Sequence, residues 1–391
     1  MKFLHTSDWH LGKKLNKRSR LDEQKEVLTE LVDICDREKV DVVLVAGDIY
    51  DTYLPSAEAE DLFYDIVCKL AKDRAVVIIS GNHDDATRLC APIPMAKRQG
   101  VYICGSIYES SGITDLNRRI KLIESGEGYF VFEDEKGEKV FINAVPYPNE
   151  SRFKELVNED ETYENKMKRW LSKGLEANTN SYPAILVGHI FMAGSVTSNS
   201  EREIDLGGAR VVGKDVMPNC AYTALGHIHK RQVMSKSRNI IYSGSILQYS
   251  FDESGNDKSV TVFEINDGKC ENIREIKFTK GKKLISLEFF SVEDAVNGLK
   301  EMVDKYYIDL SLKIGRPITE SENKEIMTAN PNIVNFNLIT EEKSGEIEGK
   351  ARGLMGDKEL FVEYYKSKYA KQPDDDIVTL YLKFVNEEDF E

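Results

Sequence analysis

The chain has 391 residues but only six histidines, and five of them stand in compact polar groups. His10 closes Asp8-Trp9-His10, and His83 lies in Gly81-Asn82-His83-Asp84. His189 follows Val187-Gly188, and His227 and His229 sit in Gly226-His227-Ile228-His229. Gly47-Asp48 ends the apolar run Val42–Ala46 in the same manner. Each group follows a run of strand length. Alternate residues of an extended segment share a face, so Asp8 and His10 are expected to point together, as are His227 and His229. Open α/β sheets bind ligands beyond the carboxyl ends of their strands. Five strand ends would thus bring Asp8, His10, Asp48, Asn82, His83, His189, His227 and His229 to one crevice. The glycine before Asp48, Asn82, His189 and His227 permits a sharp turn at each exit.

Imidazole mixed with carboxylate suits Mn, Fe or Zn better than Mg or Ca. Seven candidate ligands are too many for one ion. They suit two if one carboxylate bridges, and Asp48 is the expected bridge. Two divalent ions less Asp8, Asp48 and one hydroxide leave about +1, enough to attract a phosphodiester. Singly, each group has an ordinary reading as a cap, a turn or a chance pair. Five together, each after a strand, make that reading improbable. His5 differs: it lies inside the first strand and is expected to be a core or supporting histidine with its ring satisfied.

The elements that must carry these residues are legible. Lys2–Ser7, Val42–Ala46 and Ala75–Ser80 read as strands, and Leu21–Lys39 and Ala57–Lys72 as helices. Further strands are expected at Gly128–Phe132, Lys139–Pro146, Ala184–Val187, Tyr222–Leu225, Asn239–Tyr242 and Lys258–Ile265. This pattern predicts an α/β fold, a layered sheet arrangement flanked by helices, ending near residue 280. A smaller α/β unit follows: strand Leu284–Phe290, helix Val292–Tyr307, strand Asp309–Ile314, helix Glu320–Ala329 and strand Asn332–Thr340. Alone, such a unit is marginal. Glu341–Gly356 reads as a linker, and Leu360, Phe361, Tyr364 and Tyr365 form an apolar helical stripe beyond it.

Composition narrows the function. Hydrophobic residues make up 41% and charged residues 31%, which excludes a mainly disordered or fibrous chain. No apolar run approaches the roughly 20 residues that cross a bilayer, and His5, Asp8 and His10 interrupt any signal-peptide core. Six scattered cysteines without a CxxC pair read as reduced thiols of a cytoplasmic protein. Fifty-three basic against 67 acidic residues give a net charge of −14, so a polyanion must be held by a local positive field. Residues 12–20, GKKLNKRSR, offer Lys13, Lys14, Lys17, Arg18 and Arg20 without an acid. Beside a metal site they would grip DNA phosphates; the alternative is a solvated loop. Ser243-Gly244-Ser245 could donate to a phosphate or be a plain turn.

The five groups resemble the motifs of the calcineurin-like metallophosphoesterases. Within that superfamily, HTSDWHLG at His5–Gly12, AGDIYDT at Ala46–Thr52 and SGNHD at Ser80–Asp84 are similar to the bacterial SbcD nuclease subunits. So are SEREI at Ser200–Ile204, ALGHIHK at Ala224–Lys230 and YSGSILQYS at Tyr242–Ser250. These subunits belong to the double-strand-break repair nuclease branch.

The resemblance implies a β-sandwich nuclease domain over 1–280, a DNA-capping domain over 281–340 and a partner-binding segment over 341–391. It implies two divalent ions, Mn above all. Asp8, His10, Asp48 and His229 would hold one, and Asp48, Asn82, His189 and His227 the other. His83 would protonate the leaving 3′ oxygen or stabilise the phosphorane, work that an imidazole suits. Asp51 occupies the place where phosphatases carry an acid that orients this histidine, while archaeal relatives tend to carry a histidine there. The implied activity is a double-strand exonuclease and single-strand or hairpin endonuclease acting in DNA repair, recombination and replication. Its partner would be an SbcC-type ATPase, docked on Leu360, Phe361, Tyr364 and Tyr365, with a homodimer inside a heterotetramer. Competing readings are a phosphoprotein phosphatase or small-molecule phosphodiesterase, and a non-catalytic subunit bridging DNA and an ATPase.

Overall fold

Val42–Ala46 and Ala75–Ile79 are buried at every position and so need cover on both faces. The computed structural model supplies it with four layers. It describes residues 1–110, 112–113, 118–148, 162–201, 211–303, 305–340, 361–362, 365–366, 372–373 and 377–378. One sheet has six strands, ordered Lys269–Lys277, Ser259–Asn266, Lys2–Thr6, Val42–Ala46, Ala75–Ile79 and Val101–Cys104. The last four run parallel. Pleat alternation splits their side chains between two cores. Leu4, Val43, Val45, Val76 and Ile78 pack outward with Val27, Leu28 and Leu31 of helix Leu21–Glu38 and with Leu62, Phe63 and Ile66 of helix Ala57–Leu70.

Phe3, Val42, Leu44, Val77 and Ile79 face inward. They meet Phe130, Phe132, Ile142, Ile185 and Val187 of a second sheet. Its seven strands are ordered Gln232–Ser235, Ile240–Tyr242, Tyr222–Gly226, Ala184–His189, Lys139–Val145, Tyr129–Glu133 and Lys121–Gly126. Its outer face is closed by Met167, Trp170 and Leu171 of helix Tyr163–Ser172. Phe263 stacks on Tyr222 at 3.7 Å and on Phe3 at 5.1 Å, joining the two sheets through aromatic contact.

Four strands of the two large sheets escape the sequence reading: Val101–Cys104, Lys121–Gly126, Gln232–Ser235 and Lys269–Lys277. The last three share a reason. Gln232–Ser235 pairs with a register shift between Val233 and Ser235. Lys269–Lys277 and Lys121–Gly126 each lie in a pairing whose register shifts, between Val262 and Glu264 in one and between Leu122 and Glu124 in the other. A bulge breaks period-2 alternation. In the first, Asn272 takes φ 53° and leaves Ile273 and Ile276 at helical spacing.

The smaller sheet is ordered Lys283–Phe289, Tyr306–Lys313 and Ile333–Ile339, with helices Val292–Lys300 and Glu320–Ala329. Ser291 and Thr319 cap these helices. The first helix stops at Lys300 rather than running to Tyr307, because Ile308, Leu310 and Leu312 are buried at a spacing of two, which only a strand satisfies. By compactness the chain forms two units, Met1–Leu312 with Ile318–Leu338, and Lys313–Pro317 with Ile339–Glu391. In the second, the Phe361 and Tyr365 rings lie 6.0 Å apart. Leu360 and Tyr364 lie outside the described residues. None of the six cysteines is paired, and no helix among the described residues is long and apolar enough to cross a membrane.

His5 is a buried polar tie between the two sheets. Its ring sits at 3.1 Å from the Tyr222 hydroxyl and 3.2 Å from the Leu225 carbonyl. Burial pushes its pKa down to about 3. The unfolded chain therefore binds a proton below about pH 6.5 that the fold excludes. Stability should be unaffected by His5 above that pH and fall by about 1.4 kcal/mol per pH unit below it, down to about pH 3. Urea midpoints of the metal-free wild type and His5→Gln between pH 7 and 5 check this: the wild type should lose more than the variant. Equal slopes would contradict it.

Candidate metal centre

The carboxyl ends of the parallel strands of both sheets open on one side. The groups do not meet by pleat alternation, as the sequence suggests. Asp8, His10, Asp48 and His227 take positive φ values of 53°, 45°, 51° and 102°. The residues bearing the functional side chains thus make the turns themselves, at a cost of about 1–3 kcal/mol each. Backbone bonds hold the turned segments side by side: Asp8 N donates to Gly47 O, His10 N to Asp48 O, and Leu11 N to Ile49 O. Two glycines are demanded by close approach. A Cβ on Gly226 would lie 1.9 Å from the Ala46 carbonyl oxygen, and one on Gly81 would lie 2.0 Å from Asp48 Oδ1.

Seven side chains converge as a result. Asp48 Oδ2 lies 3.5 Å from His10 Nε2 and 3.5 Å from His189 Nε2. His10 Nε2 and His229 Nε2 are 2.9 Å apart. Asn82 Oδ1 sits 2.9 Å from His189 Nε2 and 2.9 Å from His227 Nδ1. Asp8 accepts from His227 N and from Ser7 Oγ. Within the triads Asp8/His10/His229, His10/Asp48/His83 and Asp8/Asp48/His189, donor atoms lie within 4.8 Å of one another.

The electrostatics fit a cation. Asp8 and Asp48 are 0% and 2% exposed. Burial raises Asp8; it would also raise Asp48, but the His189, His10 and His83 imidazoles hold that carboxyl well below the ordinary range. Burial keeps His10 and His227 neutral, lowered to about 3. Burial also disfavours charge on His189, yet the Asp48 and Asp8 carboxylates push it up to about 9. His189 Nδ1 donates to the Ala46 carbonyl at 2.8 Å, so its Nε2 presents a lone pair to Asn82 Oδ1 and Asp48 unless protonated. Lone pairs facing lone pairs, beside two buried acids, form a donor set suited to divalent metal.

Other expected residues are placed differently. Asp51 meets His83 through its backbone: the carbonyl accepts from His83 Nδ1 at 2.7 Å. Its carboxylate turns the other way, 3.6 Å from His10 Nδ1 and 2.9 Å from Lys13 Nζ. The basic stretch forms a hairpin pairing Lys14–Leu15 with Arg18–Ser19. Lys14 and Lys17 are exposed. Arg20 is 1% exposed, paired with Glu23 and donating to the Gln248 carbonyl, so it faces the interior. Arg18 donates to the Pro331 carbonyl of the smaller α/β unit. Ser243 and Ser245 are buried; Ser243 Oγ lies 2.8 Å from Ser7 Oγ, which buttresses Asp8.

Sequence reasoning also misses residues that hold the loops. Gln24 is buried; its amide nitrogen reaches His10 O at 2.7 Å and Tyr249 Oη at 2.9 Å, and its Oε1 accepts from Gly12 N. Asp84 accepts from the N–H groups of Ile49, Tyr50 and Gly81, tying the Asp48 and Asn82 loops together. Gln24 reads as one more residue of an amphipathic helix, and nothing in its spacing marks it. Asp84 stands inside a quoted motif.

Residues 1–231 match the family described as calcineurin-like phosphoesterase. Among curated proteins, the SbcD component of the nuclease SbcCD from Bacillus subtilis (strain 168) is 32% identical over 414 aligned positions, covering all of both chains. A solved structure, a hypothetical protein from Thermus thermophilus, aligns over 72% of this chain and all of its own with a TM-score of 0.37 and 11% identity.

Gly226→Ala should force the two sheet ends apart and lower stability by about 1–3 kcal/mol. Gly213→Ala, where an added Cβ meets nothing within 4 Å, is the control. Urea denaturation checks the pair, and equal midpoints would contradict the close approach.

Proposed function

The chain belongs to the calcineurin-like phosphoesterases and, within them, to the SbcD-type nuclease subunits; from that premise we propose that it cuts DNA phosphodiesters with two Mn ions. It is a phosphodiester hydrolase. The observation that carries the reading is Asp48, whose Oδ2 stands equally far from His10 and His189. On this reading Asp8, His10, Asp48 and His229 hold one ion, and Asp48, Asn82, His189 and His227 the other. Bound metal supplies a nucleophile near neutral pH and stabilises charge on the transferring phosphoryl group.

The chain's own groups do the rest. Asp48 accepts from the His83 backbone N–H at 2.8 Å, fixing the histidine loop to the bridging acid. The Asp51 carbonyl holds the His83 Nδ1 proton, so the imidazolium form would carry its second proton on Nε2, pass that one to the leaving 3′ oxygen and be left as the neutral Nδ1–H ring. Asp51 would then steady His10 by its carboxylate, not His83. Lys14 and Lys17, exposed on the hairpin, would hold DNA phosphates, with Lys13 beside Asp51 closer to the metals. Arg18 and Arg20 would act by seating the 281–340 unit that guides DNA.

The full-length relative is named as one subunit of a nuclease. That supports an SbcC-type partner; residues 341–391, including Leu360, Phe361, Tyr364 and Tyr365, are the docking segment we infer for it from the apolar stripe. We further infer, from the resemblance of the motifs and not from that name, a homodimer inside the assembly, DNA end processing as the task and the cytoplasm as its place.

Mn-dependent turnover on linear duplex, hairpin and single-stranded DNA should exceed that on a cyclic nucleotide or a phosphopeptide. The reverse order would favour a phosphatase. His83→Gln should keep two Mn per chain while losing about 10²–10⁴-fold in rate. Asp48→Ala should lose both ions by calorimetry; two bound Mn in that variant would refute the bridge. Lys14→Ala and Lys17→Ala should each lower the slope of log affinity against log salt by about 1. Unchanged slopes would remove the hairpin from DNA binding.

A further inference from the structure

Ser200, Glu201 and the turn after Tyr249 supply no metal ligand, yet they close around His229. His229 is held at three points. Its backbone N–H donates to Glu201 Oε1 at 2.7 Å. Its carbonyl accepts from Lys258 Nζ at 2.8 Å. Its ring Nδ1 lies 2.5 Å from Ser200 Oγ.

Ser200 Oγ in turn lies 2.5 Å from Glu253 Oε1. Glu253 is 0% exposed and forms an ion pair with Lys258. Its Oε1 also accepts the backbone N–H groups of Tyr249 and Ser250, each at 3.2 Å. Every partner of this carboxyl is a donor, so it is ionised and can only accept.

That settles the direction of the chain of hydrogen bonds. Ser198 Oγ, 2.9 Å from Ser200 Oγ, donates to Glu201 Oε2, so the one Ser200 proton goes to the carboxylate of Glu253. The hydroxyl can then only accept from His229, so the imidazole proton sits on Nδ1. A neutral ring with its proton there turns the Nε2 lone pair inward, to the point where His10 Nε2 lies 2.9 Å away. A ligating histidine needs its other nitrogen engaged in this way, and losing such a partner typically weakens metal binding about 10–100-fold.

We propose that Ser200 and Glu253 are positioning residues: a carboxylate–hydroxyl–imidazole relay that fixes the tautomer of His229 and aims its Nε2 at one of the two metal positions. The inference rests on the reading of His229 as a metal ligand. Glu253 reaches the ring across 24 positions of sequence, and it is anchored in the same turn whose Tyr249 braces the Gln24 amide beneath His10. One buried scaffold therefore sets both imidazoles of that metal position.

The test has two readouts on the full-length protein. Only six histidines are present, so selective 15N-histidine labelling of the metal-free chain can report tautomers at about pH 8.5, above the ordinary imidazole range. Wild type should show His229 protonated on Nδ1, and Ser200→Ala should lose that preference. Mn titration followed by electron paramagnetic resonance should give two ions in wild type. In Ser200→Ala, one of the two should bind about 10–100-fold more weakly and the other as before, and Ser200→Thr, which keeps the hydroxyl, should restore both. Ser200 lies in a partly exposed loop, so its variants test the relay without emptying the core. An Nε2-protonated His229 in wild type, or unchanged affinity for both ions in Ser200→Ala, would overturn the relay while leaving the nuclease reading intact. Failure of wild type to bind two Mn, with the Nδ1 tautomer present, would overturn the metal reading and the positioning role together.

Discussion

Two carboxylates taken out of water set the terms for this site. Asp8 and Asp48 sit at the ends of neighbouring parallel strands, in the same pocket as imidazoles that burial holds neutral. Charge buried without a counter-charge is costly. His189 answers in part by holding a proton more tightly than a free imidazole would. A pair of divalent ions would answer it fully. Much of the surrounding structure follows from that requirement: left-handed turns at Asp8, His10, Asp48 and His227, glycines where backbones nearly touch, and buried amides and acids bracing the loops. Local strain of this sort persists only where neighbours over-determine it, and the facing sheets with their aromatic stack provide that rigidity.

Much of this was legible in the sequence, and the reasons are physical. Buried parallel strands are unbroken apolar runs, so Val42–Ala46 and Ala75–Ile79 could be read directly, and with them the crevice at their ends. The side chains that converge there were legible because imidazoles are scarce in this chain. The turn geometry was not. Positive φ is commoner at aspartate and histidine than at most residues, but residue type does not say which of them adopts it, and the expectation of pleat alternation failed for that reason. Bulged edge strands were missed because a shifted register mixes the two periodicities. Asp51 shows another boundary: its backbone, not its side chain, meets His83, and a carbonyl carries no sequence signal. Arg20 shows a third, since a cation in a basic run reads as exposed until its partners, Glu23 and the Gln248 carbonyl, are brought to it by the fold.

The hairpin after His10 joins two tasks. Lys14 and Lys17 stand in solvent, while Arg18, Arg20 and Lys282 gather around the Tyr307 ring at 5.9, 5.1 and 5.0 Å from its centroid. The Tyr307 hydroxyl donates to Glu23, and Asn16 reaches Asn335. The segment that leaves the metal centre thus also seats the smaller sheet. A chain with a net charge of −14 sets Lys14 and Lys17 in solvent at this hairpin while Arg18 and Arg20 pack against its own smaller sheet-and-helix unit.

Diffraction from crystals grown with Mn, recorded at the Mn absorption edge, addresses the shared-carboxylate claim most directly. Two anomalous peaks about 3.5–4 Å apart, with Asp48 between them, are expected. A single peak, or two peaks that do not share Asp48, would contradict it.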